Sequence, residues 1–296
     1  MIILENQLKV FFVLVVVILS QFSESAYGEP SVLVQSVQMP AWLQRNSGRQ
    51  PLAVGMQLEN NDRLITGINS RVLLKSADGS SVKLGENATM TISNLSQRRD
   101  NQPLFTALLT VTKGAFRFTT AALAKFVPRD ITIHVARATI GIRGTDVWGK
   151  DGDDKGIVCL IEGNISVTGE SNNNFSMDRP LSFYEMPKTL AAKPVDMVDP
   201  DQLKKWALET EIAKEKGATV TNGKWSVVLL KASNQTEALA AYDTWRSAGY
   251  TVRIVPIMQD GSYELRISQL PSHSEANSLA KSLTGLLGAT APVAVR

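Results

Sequence analysis

Residues 137–150 read RATIGIRGTDVWGK, and the meaning of that stretch decides the fold. Three glycines, two arginines and one acid interrupt an otherwise strand-like run. A phosphate loop would lie between a strand and a helix, with backbone N–H groups converging at the helix N-terminus. The residues that follow, VWGKDGDDKGIVCLIEG, continue as strand and turn and supply no helix. Gly141 and Gly144 instead suit a tight corner, where positive φ or close backbone approach is needed. Arg143 is expected to pair with Asp146, or with an acid on a neighbouring strand, and so hold that corner. Gly141, Arg143, Gly144 and Asp146 are therefore structural candidates.

Outward from this corner, 31–181 is a succession of short strands: SVLVQSV, SRVLLKSADGSSVKLG, ATMTIS, FTALLTVTKGAFRFTT, DITIHVARATIGI, KGIVCLIEGNISVTG and LSFYE. Asp78-Gly79 between two apolar runs is a hairpin signal. Strands at roughly ten-residue spacing with Gly, Asn and Asp between them predict an all-β sandwich, barrel or solenoid. AALAKF, 121–126, predicts a helical turn at its edge.

Composition shifts in 182–222, a Pro-rich linker with one helix. Asp199 can cap that helix, Pro200 suits its first position and Gly217 its end. Leu203, Trp206 and Ile212 give it a narrow apolar stripe, enough to pack on a domain edge or to form a stiff spacer. Residues 223–296 then read strand (KWSVVLLKA), helix (236–248), two strands around MQDG, a helix capped by Ser272 or Ser274, and a last strand, APVAVR. That β-α-β-β-α-β order predicts an α+β, ferredoxin-like unit with both helices on one sheet face. Alternation turns Trp225, Val227 and Leu229, and Tyr263, Leu265 and Ile267, toward the helices. The opposite face receives Ser226, Val228, Leu230, Glu264, Arg266, Ser268 and Arg253. Arg and Ser there could bind sugar hydroxyls and the aliphatic groups sugar ring faces; the same face could equally be covered by the linker helix or a partner protein.

The chain has 296 residues and a net charge of +3, with no basic block of nucleic-acid type. Residues 1–28 carry one Lys, about eleven apolar residues and a small-residue end at Ala26 and Gly28, the pattern of a signal peptide. The apolar run is short for a bilayer span, so export to the periplasm is expected, with membrane association only if the segment is retained. Cys159 is the one cysteine and lies among apolar residues, which predicts a buried, inert thiol. His134 and His273 have no metal-ligand spacing, and DGDD at 151–154 lacks the order of a calcium loop. No nucleophile elbow, zinc-protease or nucleotide motif occurs. No enzyme activity, metal or cofactor is expected. A glycan-cleaving enzyme would need paired carboxylates, for which Asp146 and Glu162 are the available acids.

The stretch TIGIRGTDVWGK…GIVCLIEGNISV, with GAFRF (114–118) and the ADGS hairpin upstream, resembles a FecR-type periplasmic domain. The resemblance implies an extracytoplasmic β-structure that senses or binds a partner. The last 73 or so residues are similar to the SPOR family: WSVVLL, a helix ending SAGY, and YELRIS before a second Ala- and Leu-rich helix. That similarity implies binding to peptidoglycan glycan strands stripped of stem peptides, as at sites of cell division or remodelling. Val228, Lys231, Arg253, Arg266 and Ser268 are the candidate glycan contacts. The expected function is an exported, non-enzymatic envelope protein anchored to peptidoglycan and presenting a FecR-like domain to an envelope protein or ligand. The alternative is a FecR-type sensor acting through protein contacts without glycan binding.

Overall fold

A computed structural model describes residues 32–98, 104–121, 128–169 and 173–296. The expected signal peptide and most of the expected helical turn at 121–126 lie outside the described residues.

The first part is two stacked sheets. One runs β17 (Asp196–Met197), β16 (Ser182–Pro187), β13 (Lys155–Glu162), β12 (Asp146–Asp151), β9 (Leu104–Thr119), β7 (Ser81–Leu84), β6 (Arg71–Ser76), β1 (Val32–Gln38). The far edge of β1 is shared by β4 (Gln57–Leu58) and β18 (Thr219–Val220). The second sheet runs β3 (Gly48–Pro51), β2 (Ala41–Arg45), β5 (Arg63–Thr66), β8 (Thr89–Arg98), β9, β10 (Arg129–Val135), β11 (Ala138–Ile142), β14 (Ile165–Thr168), β15 (Asn174–Met177). Every pairing is antiparallel except β9 with β10.

The strand β9 belongs to both sheets: its part up to Lys113 pairs in the second and Gly114 onward in the first. Gly114 makes the passage possible. Its φ is +82°, and a Cβ there would sit 2.5 Å from the Cα of Ala88. The chain then deals hairpins alternately to the two sheets, β10–β11 to the second, β12–β13 to the first, β14–β15 to the second. The expected Asp78-Gly79 hairpin joins β6 to β7. Asp78 closes it by accepting from the backbone N–H and hydroxyl of Ser80 and from Arg129 at 3.3 Å.

Period-two alternation divides each strand between two environments. From the first sheet Val72, Leu74, Phe116, Val147, Val158 and Leu160 point inward and join Leu43, Leu64, Met90, Ile133, Ile140 and Ile165 of the second in one buried cluster. Their neighbours Ala115, Trp148, Ile157 and Cys159 belong to a separate cluster on the outer side of the first sheet. That outer cluster is roofed by helix α1 (Pro200–Thr210). Asp199 caps it as the sequence predicts, accepting from Asp201 N and Gln202 N, with Pro200 at the first position. The helix ends at Thr210, before the expected stop at Gly217. Glu211 turns extended, and its carboxylate is held by Lys83 and Arg117 from the sheet beneath. Ile212 thus falls outside the stripe, which reduces to Leu203 and Trp206. The strands also run past residue 181, since β16 pairs along β13 and β17 along β16.

The second part is a four-stranded antiparallel sheet ordered β22 (Val293–Val295), β19 (Trp225–Ala232), β21 (Ser262–Leu270), β20 (Arg253–Ile257). Helices α2 (Gln235–Ser247) and α3 (His273–Leu283) follow β19 and β21 and are capped by Asn234 and Ser272. Trp245 from α2 and Ala276, Leu279, Ala280 and Leu283 from α3 bury against the sheet. Two irregularities in β19, between Trp225 and Val227 and between Val228 and Leu230, shift the alternation. Val227, Leu229, Leu265 and Ile267 are buried as expected, while Trp225 and Tyr263 are only half-buried. Trp225 packs on His273 with ring centroids 4.7 Å apart. Leu230, expected on the open face, faces Leu265 in register and packs on the core.

Candidate functional site

The GIRGTD segment is a crossover between the sheets. It carries the chain from β11 in the second sheet to β12 in the first, beside the Glu162-Gly163 return from β13 to β14. Gly144 has φ +75° and Gly163 φ +88°. A Cβ on Gly163 would lie 2.6 Å from the Gly144 carbonyl oxygen, so the two crossovers touch through backbone alone. Gly141 needs no special φ; a Cβ there would meet Ser166 Oγ at 2.4 Å. Thr120, at the end of β9, exchanges hydrogen bonds with Thr145: its N–H donates to Thr145 O at 2.9 Å, and its Oγ1 accepts from Thr145 N at 3.1 Å. RGTD and EG are thus neighbours because three chain passages are stacked at one end of the sandwich.

The expected Arg143–Asp146 pair does not form. Arg143 is exposed and has no ion-pair partner among the described residues. Asp146 is gripped by the fork of Arg117, which donates Nε at 2.9 Å and Nη2 at 2.7 Å. Arg117 precedes Phe118 of GAFRF on β9, and register places it directly beside Trp148. Its bond to Asp146 holds its pKa above the usual guanidinium value against the opposing effect of burial. Arg117 also donates to Glu211 at 3.1 Å, which Lys83 reaches at 2.6 Å. Lys150 pairs with Glu209 at 2.7 Å.

These ion pairs bracket an aromatic seat. Trp206 of α1 lies flat on Trp148, ring centroids 5.0 Å apart and planes within 1°, and Phe183 meets Trp206 edge-on at 5.8 Å. Cys159 is wholly buried below them, and burial pushes its thiol up to about 12. It is therefore protonated and sheltered at neutral pH. The outer face of the first sheet thus grips a helix by one stacked Trp, by Glu209 in its last turn and by Glu211 just past its end.

Asp146 stands opposite Glu162 in the β12–β13 register. The Asp146 carboxylate is committed to Arg117 and Thr119, so it offers no free base beside Glu162. The acidic hairpin tip lines a cleft of about 540 Å³ together with Trp206, Lys113 and Lys150. Asp151 is engaged by Lys188. Among the described residues no cluster of His, Cys, Asp and Glu could hold a metal ion.

The glycan candidates lie together on the open face of the C-terminal sheet. Val293, Val228, Arg266 and Arg253 form one cross-strand row, and Lys231 and Glu264 with Val255 the next. Strict alternation from Val227 and Leu229 would have sent Lys231 inward; the irregularity at Val228–Leu230 turns it out. Lys231 pairs with Asp260 at 2.6 Å, Arg266 donates Nε to Glu264 at 2.8 Å, and Ser268 meets Ser226 Oγ at 3.2 Å. Arg253 is exposed with no ion-pair partner among the described residues.

Comparison with known proteins locates one family. No curated protein matches the chain. Two crystal structures of a candidate anti-sigma factor from Parabacteroides distasonis align with it at 10% and 11% identity, covering 74% and 75% of this chain and 91% and 89% of theirs, each with a TM-score of 0.40. The family model "FecR protein" matches residues 62–166, from the Asp62 that Arg45 holds at 2.7 Å to the strand after the Gly163 crossover. Residues 62–166 are a FecR domain.

Proposed function

We propose that this is an exported, non-enzymatic envelope protein whose FecR domain senses or relays a signal through protein contacts. The FecR match over 62–166 carries the reading. The grip on α1 supports it, because a stacked aromatic surrounded by ion pairs is the chemistry of a protein–protein anchor. Export rests on the signal-like residues 1–28. Photo-crosslinking in cells from position 143, exposed beside the crossovers, tests the reading. A discrete adduct with one envelope protein is expected; an adduct-free FecR surface from position 143 and from the exposed position 162 would sink it.

A second reading is favoured by the open face of the C-terminal sheet. Its β-α-β-β-α-β order and the row Val228, Arg266, Arg253 support a ferredoxin-like, SPOR-type module that takes glycan strands lacking stem peptides. Two of its cations are already paired to acids, which leaves Arg253 as the freest contact. The full chain is expected to co-sediment with sacculi more strongly after amidase treatment, and Arg253→Ala to weaken that gain. Equal sedimentation before and after treatment would leave the protein-contact reading alone.

A further inference from the structure

Helix α1 sits on the first sheet as a ligand sits in a site. At 11 residues it is shorter than a helix that holds itself in water. Its last turn carries no basic residue, while Glu209 and Glu211 put two carboxylates at the end where the backbone dipole disfavours them. The sheet supplies their partners: Lys150 reaches Glu209 at 2.7 Å, and Lys83 and Arg117 reach Glu211 at 2.6 and 3.1 Å. The hold is shallow. Thr210 is the one buried residue of the helix, Leu203 and Trp206 are half-buried, and Leu208 is 67% exposed. The ion pairs are partly open to water, which screens them. A short helix with few buried contacts belongs to the low-stability end of a fold.

Cross-strand register assembles the seat in one line over five strands. Lys83 on β7 stands beside Arg117 on β9, Arg117 beside Trp148 on β12, Trp148 beside Cys159 on β13, and Cys159 beside Phe183 on β16. Lys150 lies two residues along β12 from Trp148, on the same face. The line runs from two cations to an aromatic slot, with a third cation alongside. Arg117 donates Nε and Nη2 to Asp146 and Nη1 to Glu211, so one guanidinium is fixed by the sheet and reads the helix. None of these groups requires that the helix belong to the same chain. Trp148, Ile157 and Cys159 are buried beneath α1, so lifting it bares an apolar face beside cations. Water disfavours such a face, which favours exchange of one helix for another over an empty seat.

We propose that α1 is a displaceable occupant of this seat, and that an acidic, tryptophan-bearing helix of a partner protein takes its place. The incoming indole lies on Trp148, and carboxylates three and five residues further on reach Lys150 and the Lys83–Arg117 pair, as Glu209 and Glu211 do from Trp206. Glu211 leads through β18 into the C-terminal part, so release of α1 slackens the link between the two parts and carries the event from one to the other. Tethered α1 competes at an effective concentration on the order of millimolar, so the outside helix must bind the seat more tightly than α1 does. The inference deepens the partner-contact reading and rests on it for the source of the helix.

The test uses the full chain and a fluorescent peptide of residues 198–212, VDPDQLKKWALETEI, as the surrogate helix. Trp206→Ala in the chain unseats α1, and Cys159, the one cysteine, reports on the seat. By fluorescence anisotropy the peptide is expected to bind this variant at least about tenfold more tightly than the wild-type chain, where tethered α1 competes. At saturation it should slow thiol labelling of Cys159 in the variant at least about fivefold. A peptide carrying Glu209→Lys and Glu211→Lys should do neither. If Trp206→Ala folds poorly, Glu209→Lys with Glu211→Lys in the chain unseats the same helix by charge and is tested with the unmodified peptide. No binding to a folded, unseated variant, equal binding of the charge-reversed peptide, or unchanged Cys159 labelling at saturation would overturn the proposal. So would a wild-type dimer in sedimentation that Trp206→Ala abolishes, because the second occupant would then be α1 of another copy. Crosslinking from positions 143 and 162 probes a different surface, so the failure of either idea is told apart from the failure of the other.

Discussion

At Gly163 the FecR corner depends on one missing methyl group. Its φ of +88° and the 2.6 Å approach to Gly144 O leave no room for a Cβ. Gly163→Ala is expected to cost about 2–3 kcal/mol in denaturant unfolding, from strain at positive φ added to the clash. Gly55→Ala is the control, because φ is +82° there but nothing lies within 4 Å, and it should cost less. An equal loss for both would mean that the crossovers do not press on each other. Gly144 was legible as a corner residue from the sequence alone, since glycine between β-branched runs has few other uses, whereas Gly163 was not singled out as one and its tight approach appears only once the two crossovers are stacked. The partner of Asp146 was not. Arg143 is three residues away in sequence, but the corner turns it to solvent, and Arg117 arrives across the β9–β12 register.

The element that most changes the reading is α1. Its capping residues announce its start, and its narrow stripe suggests either packing on a domain edge or a stiff spacer. In the structure it closes the outer face of a sheet that has apolar side chains on both faces. That second apolar face was written in β13, where GIVCLI lacks the alternation of a half-exposed strand. Trp206→Ala should loosen the roof and cost about 2 kcal/mol, the stack and its buried area being lost together. The sharper readout is Cys159, held near 12 beneath the stack. Its labelling by a thiol reagent at neutral pH should speed up at least about tenfold in the variant. Labelling that keeps pace only with global unfolding would show that α1 does not guard it. Since the folded thiol titrates above its unfolded value, stability contributed by this burial is full below pH 9 and is lost as pH rises toward 12.

For the whole molecule the decisive contact joins the two parts. Trp42 on β2 donates Nε1 to Ser247 O at 3.1 Å, and Ala41 N donates to Gly249 O at 3.1 Å. Gly249, at φ +87°, passes so near that a Cβ would be 2.6 Å from the Trp42 ring. On the other side β18 pairs with β1, and Glu275 of α3 accepts from Glu215 N and Gly217 N. The linker is thereby stitched to both parts. Trp42→Ala should loosen the docking, raise the radius of gyration in X-ray scattering, and split thermal unfolding into two steps. A single, merely shifted transition with unchanged scattering would show that β18 and Glu275 suffice to hold the parts together.

The sequence by itself determined the local elements: the Asp78-Gly79 hairpin, the Asp199 cap, the strand periods and the glycine corners. Each follows from backbone propensity and spacing within a few residues. Tertiary structure decided which sheet receives each hairpin, which face of the first sheet α1 covers, where Asp146 finds its guanidinium, and that an irregularity in β19 turns Lys231 outward. It also brought Gln38, Arg71, Leu208 and Leu279 around one cleft from four separate elements. Those outcomes depend on strand register and on side chains distant in sequence competing for the same buried space. No period read along one segment contains that information.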